Sequence, residues 1–225
     1  MHLRAKMYTI AVMQPYFLPY AGYFRLFAAS DLFVLYDCVQ FPRRGWVHRN
    51  RLLDRLDRPQ WLTLPIATAP QTVRIADLEF PADAESRLSI SARRFPALEK
   101  NGSLVDAVMR PRGSVVDYLE QTLALTCAQL SIPFRAQRSS ALGIDPGLRG
   151  EDRILAICRA LGADRYVNSP GGRQLYESSR FVAEGIELRF LAPYRGPEWS
   201  ILQRLHSEPT SAITKEIQEQ LALEP

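Results

Sequence analysis

Apolar positions alternate weakly from Tyr8 to Met13 in a β-prone run, so a first strand is expected there. Gln14-Pro15-Tyr16-Phe17-Leu18-Pro19 cannot prolong a central strand, because both prolines lack an N–H. From Tyr20 to Ala29 the apolar residues Phe24, Phe27 and Ala28 fall at helical spacing, with Pro19 just ahead, a favourable helix start. Leu32–Tyr36 is a second short apolar strand. This β-turn-α-β opening predicts an α/β chain with a Rossmann-like layered fold, a central mostly parallel sheet flanked by helices.

Further along, the pattern predicts a basic loop over Phe41–Arg51, an apolar run at Trp61–Ile66 and a strand at Val73–Phe80. Residues 82–130 are mainly helical, most clearly Ser114–Leu130, and Phe134–Gln137 is strand-like. Gly143–Gly150 is a loop, and Glu151–Leu161 a helix stopped by Gly162. Arg165–Asn168 and Glu187–Leu191 are strands around a helix over Gln174–Ala183. Residues 192–225 are expected to form a covering loop and a C-terminal helix. The organisation expected is one α/β domain over 1–225, with 82–130 a helical insertion or subdomain and 195–225 a covering segment.

Composition narrows the class. Hydrophobic residues make up 47% and charged residues 23%, the balance of a globular chain rather than a disordered one. No stretch approaches 18 apolar residues, so no membrane-spanning helix is expected, and the N-terminus shows no secretory cleavage signal. Cys38, Cys127 and Cys158 are odd in number and far apart, which fits a reducing cytoplasm. His2, His48 and His206 are scattered, and no metal set is expected. The net charge of +4 is carried by arginine, since only Lys6, Lys100 and Lys215 are lysines. Without a recognition motif this charge favours small anions over nucleic acid.

Residues 13–51 concentrate aromatic, amide and arginine side chains, as a pocket wall for an anionic ligand does. Gln14, Tyr16, Tyr20, Gly22 and Tyr23 follow the first strand, where ligands of open α/β sheets sit. Gly22 would let a ligand approach the first turn of the helix, where free N–H groups favour an anion. Asp37 follows the second strand and is a candidate base, with Gln40 beside it. Arg43, Arg44, Arg49 and Arg51 suit a bidentate grip on phosphate or carboxylate, Trp46 suits stacking, and Asn50 suits a polar edge. Cys38 with His48 is an imaginable nucleophile pair, although a buried cysteine more often acts as a small hydrophobe. A third candidate is the loop of Gly171, Gly172, Arg173 and Tyr176, between a strand and a helix. Each has a plain alternative: an aromatic helix start, a solvated basic loop and an ordinary βα turn. Asp145, Glu151 and Asp152 are expected to be capping or solvated charges.

The stretch Gln14–Tyr20, Gly22-Tyr23-Phe24, Asp31, Asp37, Val39-Gln40-Phe41, Arg43, Trp46, Arg49-Asn50-Arg51 and Trp61-Leu62-Thr63-Leu64-Pro65 resembles the WbqC-like family. Ile154, Cys158, Leu161-Gly162-Ala163, Tyr166 and Tyr176 extend the likeness over most of residues 10–210. Cys38 departs from it, standing where the family usually has a second acid. The resemblance implies a bacterial enzyme of surface-polysaccharide or nucleotide-sugar metabolism. Its first expectation is an acyl transferase, glycyl included, acting on a nucleotide-linked amino sugar, with Asp37, Gln40 and Tyr20 as catalytic residues. A second is a nucleotidylyltransferase, because Tyr20-Ala-Gly-Tyr23 resembles a His-x-Gly-His turn with tyrosines in place of histidines; it would require a divalent cation. A third is a non-catalytic nucleotide-sugar binder. No resident metal or prosthetic group is expected. The expected partner is a phosphorylated or nucleotide-linked small molecule, and a homo-oligomer is compatible with all three.

Overall fold

The computed structural model describes residues 7–225; the basic start of the chain, with His2 and Lys6, lies outside them. Six strands form the main sheet: β1 (Thr9–Met13), β2 (Leu32–Leu35), β5 (Ala136–Arg138), β6 (Arg165–Asn168), β7 (Glu187–Leu191) and β8 (Leu223–Glu224). Their order is β5-β2-β1-β6-β7-β8. All pairings are parallel except the edge pair β7–β8. The chain leaves β1 toward β2 on one side and returns to β6 on the other. The strand order therefore reverses at β1, as in doubly wound Rossmann-like folds.

The strands are covered on both faces, and their period of two decides which residue faces which layer. Ala11, Phe33, Leu35, Val167 and Leu191 join a core with residues of α1 (Ala21–Ala28), α4 (Val115–Gln129), α7 (Ile201–Ser207) and α8 (Thr210–Glu219). Ile10, Val12, Val34, Tyr166, Leu188 and Phe190 join a second core with α5 (Gly150–Leu161) and α6 (Ser178–Ala183). Helices α2 (Ala84–Ala92) and α3 (Ser103–Val108) lie in the 82–130 stretch and add Leu88 and Leu104 to the first core.

Local signals set several boundaries. Ser114 and Asp117 form a reciprocal capping box at the start of α4. Gly162, at φ 63°, ends α5 in the left-handed conformation. Arg25, 1% exposed within α1, is tied to the C-terminal segment by donating to the carbonyls of Gln220 (2.6 Å) and Ala192 (2.7 Å).

Four segments differ from expectation. The basic loop ends in a strand, β3 (Arg49–Leu53), paired antiparallel with β4 (Pro59–Thr63). Its inward residues are Asn50 and Leu52, and charge on the outward positions masks the alternation. Val73–Phe80 forms a 3-10 turn at Ile75–Asp77 instead of a strand, because the amides of Ile75 and Ala76 donate to the carbonyls of Val39 and Asp37. Helix α6 starts only at Ser178, after a 3-10 segment at Pro170–Leu175 and an extended Tyr176. The C-terminal region holds two helices and β8, since Pro209 forces Glu208 into extended backbone between α7 and α8. Among the described residues no helix is long and apolar enough to cross a membrane.

His48, in the approach to β3, packs edge-on against Phe41, with ring centroids 4.9 Å apart, and its Nδ1 has no hydrogen-bond partner. Burial first, then Arg49 and Arg43, push the imidazole down from 6.5 to about 4. The unfolded chain therefore takes a proton that the folded chain refuses until about pH 4. This contribution to stability is fully present above pH 6.5 and is lost as pH falls toward about 4. Chemical denaturation across that window should show a shallower loss of stability for His48→Gln than for the wild type. Parallel curves would contradict this assignment.

Candidate functional site

The connection after β1 is an irregular turn held by side chains far away in sequence. Leu18 has φ 47°, a left-handed conformation costing about 1–2 kcal/mol for a residue with a Cβ. Asn50 Nδ2 donates to the carbonyls of Phe17 (3.1 Å) and Leu18 (2.7 Å), and Ser200 Oγ donates to Leu18 (2.9 Å). The Phe17 amide donates to the Trp46 carbonyl, and the Ile201 amide to that of Pro19. Three segments thereby converge, and a cavity of about 150 Å³ opens between them. Tyr16, Pro19, Tyr20, Trp46, Asn50, Arg51 and Glu198 line it.

This cavity combines rings with two opposite charges. Trp46 and Trp61 lie 5.5 Å apart, and the Arg51 guanidinium sits 5.8 Å from each ring. Neither Arg51 nor Glu198 has an ion-pair partner among the described residues. Burial raises both Tyr16 and Tyr20 above the usual phenol range, so their hydroxyls stay protonated donors. Of the residues expected here, Tyr16, Tyr20, Trp46, Asn50 and Arg51 meet.

Others lie elsewhere. Arg43 donates to the carbonyls of Ala69 and Pro70, and Arg49 donates to Arg44 and covers Trp61 at 4.3 Å. Tyr23 is buried and donates its hydroxyl to the Gln14 carbonyl at 2.8 Å. A Cβ on Gly22 would lie 2.3 Å from Tyr20 and 2.8 Å from Tyr194, so this glycine admits two rings of the protein itself.

A larger cavity, about 450 Å³, lies beyond the ends of β2 and β5. Asp37 sits beneath it, fully buried. Its carboxylate accepts hydrogen bonds from Ser139 Oγ (2.9 Å), the Ser140 amide (2.8 Å) and Ser140 Oγ (2.7 Å). Ser139 Oγ accepts in turn from the amides of Asp37 and Cys38. Gln40 lines this cavity and donates to the Gln71 carbonyl, so it and Tyr20 face different cavities. Cys38 also lines it; no hydrogen bond joins Cys38 to His48.

The Gly171–Tyr176 loop is occupied by internal contacts. A Cβ on Gly172 would lie 2.4 Å from Asn168 Nδ2, while Gly171 is open. Arg173 pairs with Glu224 at 2.7 Å, donates to the Pro225 carbonyl and covers Phe190. Tyr176 meets the hydroxyl of Tyr166 and Nδ2 of Asn168, each at 3.3 Å. Glu151 and Asp152 pair with Arg180.

Sequence reasoning passed over Glu198, Arg74, Ser139, Ser140, Arg149 and Arg153. One signal was available for Arg153: a charge opening the otherwise apolar run Arg153-Ile154-Leu155 in an amphipathic helix, where it is 5% exposed. Glu198 lies in a Pro- and Glu-rich stretch that marks no position.

No solved structure matches the chain. At 24% identity over 183 residues, which is 78% of either chain, it is similar to the uncharacterized protein Rv1507c of Mycobacterium tuberculosis. The WbqC-like protein family matches residues 14–213, which span the turn after β1, the hairpin, both cavities and all but the last helix in full. The chain belongs to the WbqC-like protein family.

Proposed function

We propose that the protein binds a phosphorylated or nucleotide-linked amino sugar and transfers an acyl group, glycyl being the simplest, to the sugar's amine. One observation carries the ligand class: Tyr16, Tyr20, Trp46, Arg51 and Glu198 line one cavity, with a guanidinium and a carboxylate that have no ion-pair partner among the described residues. Aromatic faces suit the C–H faces of a sugar ring, and a guanidinium fork beside a carboxylate suits its hydroxyls and amine. The acyl step is what the family resemblance implies.

The chemistry maps onto these groups. The amine nitrogen forms a bond to the carbonyl carbon of an activated acyl donor, whose leaving group departs with the electron pair. Glu198 takes the proton released by the amine. The protonated hydroxyls of Tyr16 and Tyr20 serve as donors to the transient oxyanion. Asp37 has no exposed surface and a carboxylate that accepts three hydrogen bonds from Ser139 and Ser140, so it serves as a positioning residue for the neighbouring cavity. Nucleotidylyl transfer is the weaker reading. Tyr23 is committed to Gln14, and the space at Gly22 is filled by Tyr20 and Tyr194, so the first turn of α1 offers no phosphate seat.

Incubation with UDP- and dTDP-linked amino sugars, glycine and ATP, read by mass spectrometry, should yield a product heavier by one glycyl group. Pyrophosphate release from a sugar 1-phosphate and UTP or dTTP in a parallel incubation, with no acylated sugar in the first, would replace acyl transfer with nucleotidylyl transfer. Binding without any product would leave a non-catalytic binder. Glu198→Gln is expected to lower turnover about 100-fold or more while sugar binding persists. Arg51→Gln should weaken binding of the amino sugar about tenfold, the effect of one lost charged hydrogen bond. Unchanged turnover in the first variant, or unchanged affinity in the second, removes that residue from the site.

A further inference from the structure

The cavity beyond β2 and β5 has features that the sugar pocket does not use. Its wall includes Arg149 and Gly150, the start of the twelve-residue helix α5. Arg149, the N-cap, makes no side-chain capping bond, so the first-turn amides at Gly150, Glu151 and Asp152 lack a side-chain cap. The positive end of the helix dipole lies at the same place. The acids of that turn, Glu151 and Asp152, both pair with Arg180, at 2.6 and 2.5 Å, which offsets one of their two charges.

Arg153, one turn further on, is an independent observation. It is 5% exposed and lines the cavity. Its Nη2 donates to the Pro146 carbonyl at 3.0 Å, and Nη1 reaches the Cys38 carbonyl only at 3.5 Å. Its buried Nε has no acceptor, and no carboxylate pairs with it among the described residues. A guanidinium this deep is costly unless an anion compensates it. Arg149 adds a second cation that, among the described residues, bonds only to the carbonyls of Pro146 and Leu148. The far wall carries Arg74, already half-committed to Asp77 at 2.6 and 2.8 Å. Tyr36, pushed up to about 12 mainly by burial, keeps its hydroxyl proton as a further donor.

We propose that this cavity is a phosphoryl-binding site, in which Arg153, Arg149 and the N-terminal amides of α5 seat the phosphate of a nucleotide or sugar phosphate. A cavity of about 450 Å³ is far larger than one phosphate needs, and Tyr36, Val39 and Ile144 give the remainder an apolar side for the group that carries it. The inference rests on the phosphorylated-ligand part of the reading above and is independent of acyl transfer.

Calorimetric titration of the full chain with inorganic phosphate, and separately with uridine 5′-diphosphate, tests it. Arg153→Gln should weaken both about tenfold or more, and Arg149→Gln about threefold. Arg87→Gln, an exposed arginine outside both cavities, should leave both unchanged, and added salt should weaken both. Tighter binding of the diphosphate assigns the site to a nucleotide; equal binding assigns it to a bare phosphoryl group. Should circular dichroism show Arg153→Gln unfolded, exposed Arg149→Gln and the conservative Arg153→Lys carry the test. Absence of binding by either anion, or wild-type affinity in the folded Arg149 and Arg153 variants, overturns the proposal. Intact phosphate binding with no acylated sugar would refute the acyl-transfer reading and leave this one standing.

Discussion

At the carboxyl end of β2, a carboxylate with no exposed surface is satisfied entirely by the start of the segment that follows β5. Asp37 accepts from Ser139 Oγ, the Ser140 amide and Ser140 Oγ, while Ser139 Oγ accepts from the amides of Asp37 and Cys38. Burying an unpaired carboxylate costs several kcal/mol, and three donors of the kind worth about 1.5–3 kcal/mol each make it tolerable. The geometric consequence matters more than the energy. Two neighbouring parallel strands are pinned at the end where α/β folds present ligand sites, and the exit from β5 is fixed in direction. The chain then runs through Gly143–Gly150 and brings the start of α5, with Arg149 and Arg153, back to the same edge.

A comparable device organises the other cavity. Asn50, on an inward position of β3, satisfies two carbonyls of a turn whose Leu18 is in an unfavourable conformation. Ser200 adds a third bond from the C-terminal segment. In both places an inward polar side chain on or just after a strand fixes a connection after another strand. The groups proposed to meet ligand sit beside these clamps: Arg51 and Trp46 next to Asn50, and Arg149 and Arg153 at the edge that Asp37 fixes. This division explains why Asp37 and Asn50 stand out in the sequence although both point into the protein.

What was legible in the sequence was local. The β1-α1-β2 opening, the helix from Ser114 and the glycine stop of α5 each follow from a few adjacent residues, and the layered parallel sheet follows from them. The hairpin was hidden because Arg49 and Arg51 take outward positions of β3, so an alternating strand resembled a basic loop. Strand β8 is two residues long and exists only because β7 offers a free edge. In the first cavity, Tyr16, Tyr20, Trp46 and Arg51 were legible because all four lie within forty residues of one another. The second was not: Asp37 and Ser139 are 102 positions apart, and Arg153 is 115 positions from Cys38. No spacing rule joins such residues; the crossover through α4 and β5 does.

A fixed edge between β2 and β5 is proposed to present a buried guanidinium to an anion. The most direct measurement is a side-chain NMR spectrum of ¹⁵N-arginine-labelled protein, following the Nε–H resonances during titration with uridine 5′-diphosphate. The Arg153 signal should move and exchange more slowly with solvent as the anion packs against its guanidinium, while those of Arg43 and Arg51 stay in place. A stationary Arg153 signal accompanied by shifts at Arg43 or Arg51 would contradict it.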